Sequence, residues 1–420
     1  MRRLRSRRRG ARFGLDPGFI GGNELTLLRG GDELFPQMLE AIQRAGSEVW
    51  IATYIFHHDT VSLALADALV AADRRGVRVR VVVDGFGSKG SLGVLRQRFA
   101  GSGVAFAVFR PIDRWWQWFQ PSRLRRLHQK LCVVDGETAF VGGINVIDDR
   151  LDIHHGRTEL PRLDFAVQLR GSLVEQVGQS LRSIWSRAWL GRDFDDALID
   201  YIPWPRRLRR WLSQLSRGPQ RLPQGTPPLP PVIAAFVTRD NLRRRRTIEH
   251  AYVDAIRGAR GQVDIICPYF YPGQRIRLAL RKAADRGVRV RLLLQGMVDY
   301  RIAGWAAEAL YAELLAHGVE IYEYTPAFLH AKVAVVDGRW ATVGSSNIDP
   351  LSLLVNLEAN VVVQDGPFAH RLAAEIETAL AVSARVGERA GTGLRALAHR
   401  ALVAWVAYVF LRVAGAAGRY

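Results

Sequence analysis

The stretch LHQKLCVVDGETAFVGGIN, Leu127 to Asn145, sets a histidine, a lysine and an aspartate within an otherwise apolar run and closes on two glycines and an asparagine. It returns as LHAKVAVVDGRWATVGSSN at Leu329 to Asn347, 202 residues later. Alternate residues of an extended strand share a face, so His128 and Lys130 are expected to point one way, as are His330 and Lys332. Leu131, Val133, Val333 and Val335 then turn toward a core. Asp135-Gly136 and Asp337-Gly338, each between two apolar runs, predict two-residue hairpin turns.

Outward from this pair the chain keeps repeating itself. AADRRGVRVRVVVDG, Ala71 to Gly85, matches AADRGVRVRLLLQG, Ala283 to Gly296, and ahead of them EVWIATYIFHHD at Glu48 matches QVDIICPYFYPG at Gln262. Each half reads as helix, strand, helix, strand, helix, strand, hairpin, strand and helix. The helices from Thr60 and Gly273 are expected to end at Gly76 and Gly287. The fold class is therefore α/β: two duplicated α/β/α halves with mixed sheets, helices on both faces and pseudo-two-fold packing. Residues 23–200 and 232–385 form the two units, joined by a Pro/Arg-rich linker at 201–231. Residues 1–22 read as a basic tail and 386–420 as a basic and apolar membrane-associating segment.

The charge is lopsided, with 59 Lys plus Arg against 40 Asp plus Glu giving +19 in 420 residues, which points to an anionic partner, acidic lipid or nucleic acid. Two cysteines, Cys132 and Cys267, exclude a disulfide framework and paired zinc spacing, as in a reducing cytosolic setting. MRRLRSRRRGARFG begins like a signal peptide without the apolar stretch that should come after it. ALVAWVAYVFL, Ala401 to Leu411, falls short of the ~20 residues that span a bilayer. With Trp405, Tyr408 and flanking arginines it suits an interfacial helix, the alternative being a terminal helix packed on the body. Trp115, Trp116, Trp118 and Phe119 beside Arg123, Arg125 and Arg126 suit a lipid headgroup boundary or stacking on single-stranded nucleic acid. His57, His58, His154 and His155 lack partner ligands for a metal and read as solvated or rim residues.

Each half thus supplies one imidazole, one fixed cation and a small-residue turn whose backbone and asparagine can donate hydrogen bonds, a set suited to phosphate. Gly142 and Gly344 both follow their histidine by fourteen residues, Asn145 and Asn347 by seventeen. Core packing tolerates many apolar substitutes, so it does not explain the same polar residues twice. A site shared by the halves does.

The pattern H-x-K-x-x-x-x-D followed by G-[GS]-x-N, twice in one α/β chain, resembles the phospholipase D superfamily over Asn23 to Val382. VVDGETAFVGGIN, FLHAKVAVVDGRWATVGSSNID and GVRVRLLLQG are similar to bacterial cardiolipin synthases, of the type without two N-terminal transmembrane helices. The resemblance implies one site between the halves, with catalytic residues His128, Lys130, Asp135, His330, Lys332 and Asp337. His128 is the implied nucleophile on phosphorus and His330 the acid, then base, an assignment that is open to reversal. Lys130 and Lys332 would hold phosphoryl oxygens, with Asn145, Asn347 and Ser345 in support, while Asp135 and Asp337 brace the hairpins and the site's shape. A downstream carboxylate is implied behind each histidine: Glu358 in the second half, and Asp164, thirty-six rather than twenty-eight residues on, as its counterpart behind His128. The first half also has Gly143 where the second has Ser345. Neither cofactor nor metal is implied. The expected substrate is phosphatidylglycerol, an anionic phospholipid, met peripherally at the cytoplasmic side of the cell membrane, with no nucleic acid; the acceptor stays open between phosphatidylglycerol and phosphatidylethanolamine. The alternative is a phospholipase D-type phosphodiesterase or nuclease, which the +19 charge also suits.

Overall fold

The computed structural model describes residues 18–112, 125–153, 156–189, 232–240, 244–296, 311–349, 352–353 and 356–387. Almost all of the basic tail, linker and C-terminal segment lies outside these residues, as do His154, His155 and the tryptophans before Arg125. No helix among the described residues is long and apolar enough to cross a membrane.

In chain order the first half contributes β1 (Ile20–Arg29), β2 (Glu48–Thr53), β3 (Arg78–Asp84), β4 (Ala105–Phe109), β5 (Lys130–Val134) and β6 (Thr138–Gly142). A small ribbon of β7 (Leu151–Asp152) and β8 (Gly156–Arg157) precedes β9 (Phe165–Gly171). The second half contributes β10 (Val232–Arg239), β11 (Gln262–Ile266), β12 (Arg289–Gln295), β13 (Glu320–Tyr324), β14 (Val333–Val336), β15 (Trp340–Gly344), β16 (Glu358–Gln364) and β17 (Ala384–Arg385). Apart from the ribbon, these strands form one fifteen-stranded sheet. From its centre the first half runs β1, β9, β6, β5, β2, β3, β4, and the second β10, β16, β15, β14, β11, β12, β13, β17. Strands β2, β3 and β4 are parallel, as are β11, β12 and β13, while the hairpin strands run antiparallel to them.

The duplication is therefore real in three dimensions, but the halves are fused through β1 and β10, which pair antiparallel at the centre. The order read from the sequence omits these two strands and begins each half at its first helix. NELTLLRG and VIAAFVTR pass straight into polar or glycine-rich residues without a turn signature, so periodicity alone does not mark where these strands end.

Both faces of the sheet are covered. One continuous apolar cluster takes Leu131, Val133 and Phe165 from the first half and Val333, Val335 and Val361 from the second. The helices Val174–Trp189 and Gly366–Ala381 close it with residues such as Leu181 and Leu372. On the opposite face each half has its own cluster, built with helices Gly30–Arg44 and Thr60–Arg74 in one and Thr247–Gly258 and Gln274–Asp285 in the other. Alternation along β5 sends Leu131 and Val133 to the shared core and Cys132 and Val134 to the first-half core. Each buried Leu or Val contributes about 1.5–3 kcal/mol, which is why nearly the whole strand is apolar. Asp59 and Asp365 start two of the helices by accepting the N–H groups of Ser62 and Phe368, both at 2.9 Å. Gly76 and Gly287, at φ +91° and +86°, come just after two of the helix ends as expected.

The hairpins differ from expectation. Val134 pairs with Thr138 and Val336 with Trp340, so three residues lie outside each ladder instead of two. Asp135 and Asp337 sit at φ +53° and +52°, each followed by a glycine at positive φ. What holds aspartate there is the amino end of the neighbouring strand. Asp135 accepts the N–H groups of Gly46, Ser47 and Glu48 at 2.8–2.9 Å, and Asp337 those of Arg260, Gly261 and Gln262 over the same range. Burial alone would raise both carboxyls, yet these amides hold them below the usual range. Seven residues of extended chain separate Asp135 from His128, roughly 20 Å. The aspartates therefore stand at the opposite end of the hairpin strands from the histidines and cannot share a phosphate with them. Asp135→Ala or Asp337→Ala should lower stability by about 1–3 kcal/mol, read as a drop in Tm, with turnover per folded molecule preserved; loss of turnover without loss of Tm would return them to the chemistry.

Candidate active site

The histidines lie just outside the ladders, where each half bridges to the other. Leu127 makes a single parallel bridge with Leu357, and Leu329 makes one with Leu163. His128 N–H donates to Leu357 O at 3.0 Å and Leu357 N–H to Arg126 O at 2.9 Å. His330 N–H donates to Leu163 O and Leu163 N–H to Phe328 O, both at 2.9 Å. The residues immediately after Leu357 and Leu163 are Glu358 and Asp164.

Each imidazole consequently meets a carboxylate from the other half. His128 Nδ1 lies 3.0 Å from Glu358 Oε2, and His330 Nδ1 lies 2.6 Å from Asp164 Oδ2. This corrects the expectation that Asp164 stands behind His128; it serves His330. The longer spacing to Asp164 is taken up by the β7–β8 ribbon, inserted between Asn145 and Asp164. The carboxylates are sealed, at 0% and 2% side-chain exposure, whereas His128 and His330 keep 12% and 23%. With both Nδ1 atoms engaged, both Nε2 atoms are left for chemistry.

The small residues after each histidine now have reasons. A Cβ on Gly142 would fall 2.5 Å from Ala166 Cα, so β6 and β9 approach too closely for a side chain. At Gly143 a Cβ would fall 2.3 Å from Asp164 Oδ1, so the space is the carboxylate's. In the second half the matching Ser345 hydroxyl instead donates to Glu358 Oε2. Gly143 and Ser345 are thus two solutions to seating a carboxylate.

The lysines are nearly as buried, Lys130 at 6% and Lys332 at 1% exposure. Lys130 Nζ donates to the carbonyl of His128 at 2.7 Å, and Lys332 Nζ to that of His330. Each ammonium retains further N–H donors for a ligand. Burial lowers Lys130 to about 7 and Lys332 to about 8, against the pull of Glu358 and Asp164 respectively. Asn145 Oδ1 accepts from Ile55 N–H at 3.3 Å, fixing the carboxamide against the end of β2. Asn347 Oδ1 sits 4.0 Å from the Cys267 thiol at the matching place.

The two histidine pairs are electrostatically unequal. Burial would raise Glu358, but His128, Lys130 and the Ser345 hydroxyl overcome it, so this carboxylate stays ionised. Burial raises Asp164 to about 7 despite Lys332, while His330 is pushed well down by burial, Lys332 and Arg162. Desolvation disfavours separated charge in this second pair, which holds one proton between carboxyl and imidazole up to near neutrality.

Three neighbours had no sequence signal. The Tyr54 ring lies 5.1 Å from the His128 ring and 5.5 Å from Lys130 Nζ, and the second half has Pro268 at the matching place. Asp149, raised by burial to about 6, accepts the N–H of Gly31 at a helix start. Arg162, beside His330, lies 3.5 Å from Asp152. His57 and His58 stack at 4.3 Å, with Nδ1 atoms on Asp59 and Ser91.

A family model described as cardiolipin synthase, phospholipase D-like domain, matches residues 38–155 and 252–380, which carry both histidine segments. The chain belongs to this family. Cardiolipin synthase B of Escherichia coli (strain K12) is 35% identical over 351 residues, covering 84% of this chain and 79% of that protein. Cardiolipin synthase B of Salmonella typhimurium is 36% identical over 355 residues, with 84% and 80% coverage. In fold, the chain is similar to the crystal structure of phosphatidylserine synthase from Haemophilus influenzae, with a TM-score of 0.64 at 12% identity, over 93% of this chain and 95% of that one. The chain is thus a phosphatidyltransferase-type enzyme of the phospholipase D superfamily.

An anion entering this site would stabilise both ammonium groups and raise their depressed pKa values. Phosphodiester binding should therefore take up protons from about pH 7 upward, and affinity should fall as pH rises over that same range. Calorimetry in buffers of different ionisation enthalpy measures the uptake; binding with no proton exchange would contradict it.

Proposed function

We propose that the protein is a cardiolipin synthase that joins two phosphatidylglycerol molecules at the cytoplasmic surface of the membrane, releasing glycerol. The observation that carries this reading is the pair of histidines whose Nε2 atoms make no hydrogen bond among the described residues, each seated on the other half's carboxylate, beside two buried lysines in a chain of this family.

In the first step His128 Nε2, with Nδ1–H held by ionised Glu358, attacks the phosphorus of one phosphatidylglycerol. The P–N bond forms as the bond from phosphorus to the glycerol headgroup oxygen breaks, and His330 Nε2–H gives that oxygen its proton. In the second step His330 takes the proton of a hydroxyl on the second phosphatidylglycerol. That oxygen attacks phosphorus, the P–N bond breaks and His128 is restored. Lys130 and Lys332 hold the phosphoryl oxygens, and the carboxamide of Asn145 or Asn347 adds a donor. The unequal pairs favour this direction: the nucleophile needs a carboxylate that stays ionised, and the acid needs a pair that keeps a proton.

Cells lacking cardiolipin are the test. The full chain should restore cardiolipin in extracted lipids and His128→Ala should not; cardiolipin from the variant would sink the nucleophile assignment. A wild type that makes none but cleaves nucleic acid would favour the nuclease reading. The rate should also decline as pH rises through about 7, where the Asp164–His330 pair loses its proton. Asp164→Asn should shift that limb to lower pH, because His330 then titrates without a carboxylate to stabilise its charged form.

A further inference from the structure

The peptide that enters each histidine is held from a second side by a residue outside the repeated motif. Leu127 N–H donates to Asp84 Oδ2 at 2.8 Å, and Leu329 N–H donates to Gln295 Oε1 at 2.8 Å. Asp84 and Gln295 occupy the same place in the two halves, as the last residues of β3 and β12. Each is followed by a glycine whose N–H is fixed to the next strand, Gly85 to Phe109 O at 2.8 Å and Gly296 to Tyr324 O at 3.0 Å. The pre-histidine residue is thus clamped between its own half's β3 or β12 and the other half's leucine.

The two clamps use different chemistry for one purpose. Asp84 is a fully buried carboxylate that also accepts Phe86 and Gly87 N–H, with Arg126 Nη1 3.4 Å away. A turn-bracing aspartate with an ion pair is the plain structural reading. Two observations weigh against that as the whole account. The ion pair is a long one, at 3.4 Å, and Arg126 Nε and Nη2 are buried without a hydrogen-bond partner among the described residues. Among the described residues Gln295 has no such cation or turn contact, and its side chain accepts Leu329 N–H alone; position 328, matching Arg126, is Phe. What both halves share is the hydrogen bond to the amide one residue before the histidine.

We propose that Asp84 and Gln295 are positioning residues, which set the reach of His128 and His330 by fixing the preceding peptide. The proposal rests on the two-histidine reading above, and it predicts an effect on turnover with little effect on substrate affinity. A misplacement of about 1 Å at such a site costs on the order of 100-fold in rate.

The second half supplies the decisive variants. Asp84→Gln with Arg126→Phe transplants the neutral clamp, whereas Asp84→Leu with Arg126→Phe removes both the charge pair and the acceptor. Both are assayed as full chains for kcat and KM on phosphatidylglycerol vesicles and on bis(4-nitrophenyl) phosphate, alongside Tm. At a temperature below both Tm values the glutamine variant should exceed the leucine variant at least tenfold in kcat at matched KM, and keep the His128 Nδ1 proton resonance of the wild type. Equal kcat and an unchanged His128 resonance in both would overturn the positioning role. A wild type active only on the chromogenic diester would overturn the lipid reading instead, with the comparison still read on that diester. If the wild type turned over neither, the His128 resonance would decide: lost with leucine and kept with glutamine supports the clamp, unchanged in both refutes it.

Discussion

Everything at this site depends on the exchange of carboxylates across the seam. A buried imidazole needs an acceptor for Nδ1–H, and the chain supplies it from the other half by bridging Leu127 to Leu357 and Leu329 to Leu163. Neither half carries a complete histidine pair by itself. The centre of the sheet, where β1 meets β10, joins into one sheet the two halves that make this exchange.

The same exchange makes the buried charge tolerable. Two lysines and two carboxylates at or below 6% exposure would each be heavily penalised alone. Placed together they offset one another, yet the compensation is uneven. Glu358 gains the Ser345 hydroxyl, while Asp164 takes the space that a side chain at position 143 would need. From one repeated scaffold come an ionised carboxylate and a proton-holding pair, the difference that the proposed two-step transfer would use.

Divergence under a constant backbone recurs away from the site. Arg80 on β3 stacks on Trp50 at 4.5 Å, whereas Arg291, at the matching place on β12, pairs with Asp264 and Glu377. The arginine is kept and its counterpart changes from aromatic ring to carboxylate, both being able to receive a guanidinium. Asp84 and Gln295 show the same freedom: the acceptor is retained and its charge is not.

By itself the sequence determined the duplication, the α/β class, the helix ends at Gly76 and Gly287 and the polar residues of the repeated motif, because periodicity, glycine placement and exact spacing are local properties of the chain. It left β1 and β10 unread, since strands continuing directly into polar residues carry no distinct period. It also could not tell which histidine Asp164 serves, or that Asp135 and Asp337 stand at the far end of the hairpin strands. Those facts depend on strand order and on contacts between residues more than 160 positions apart for His330 and Asp164. Only the closed sheet decides them, because burial makes the polar groups find partners wherever the other half places them.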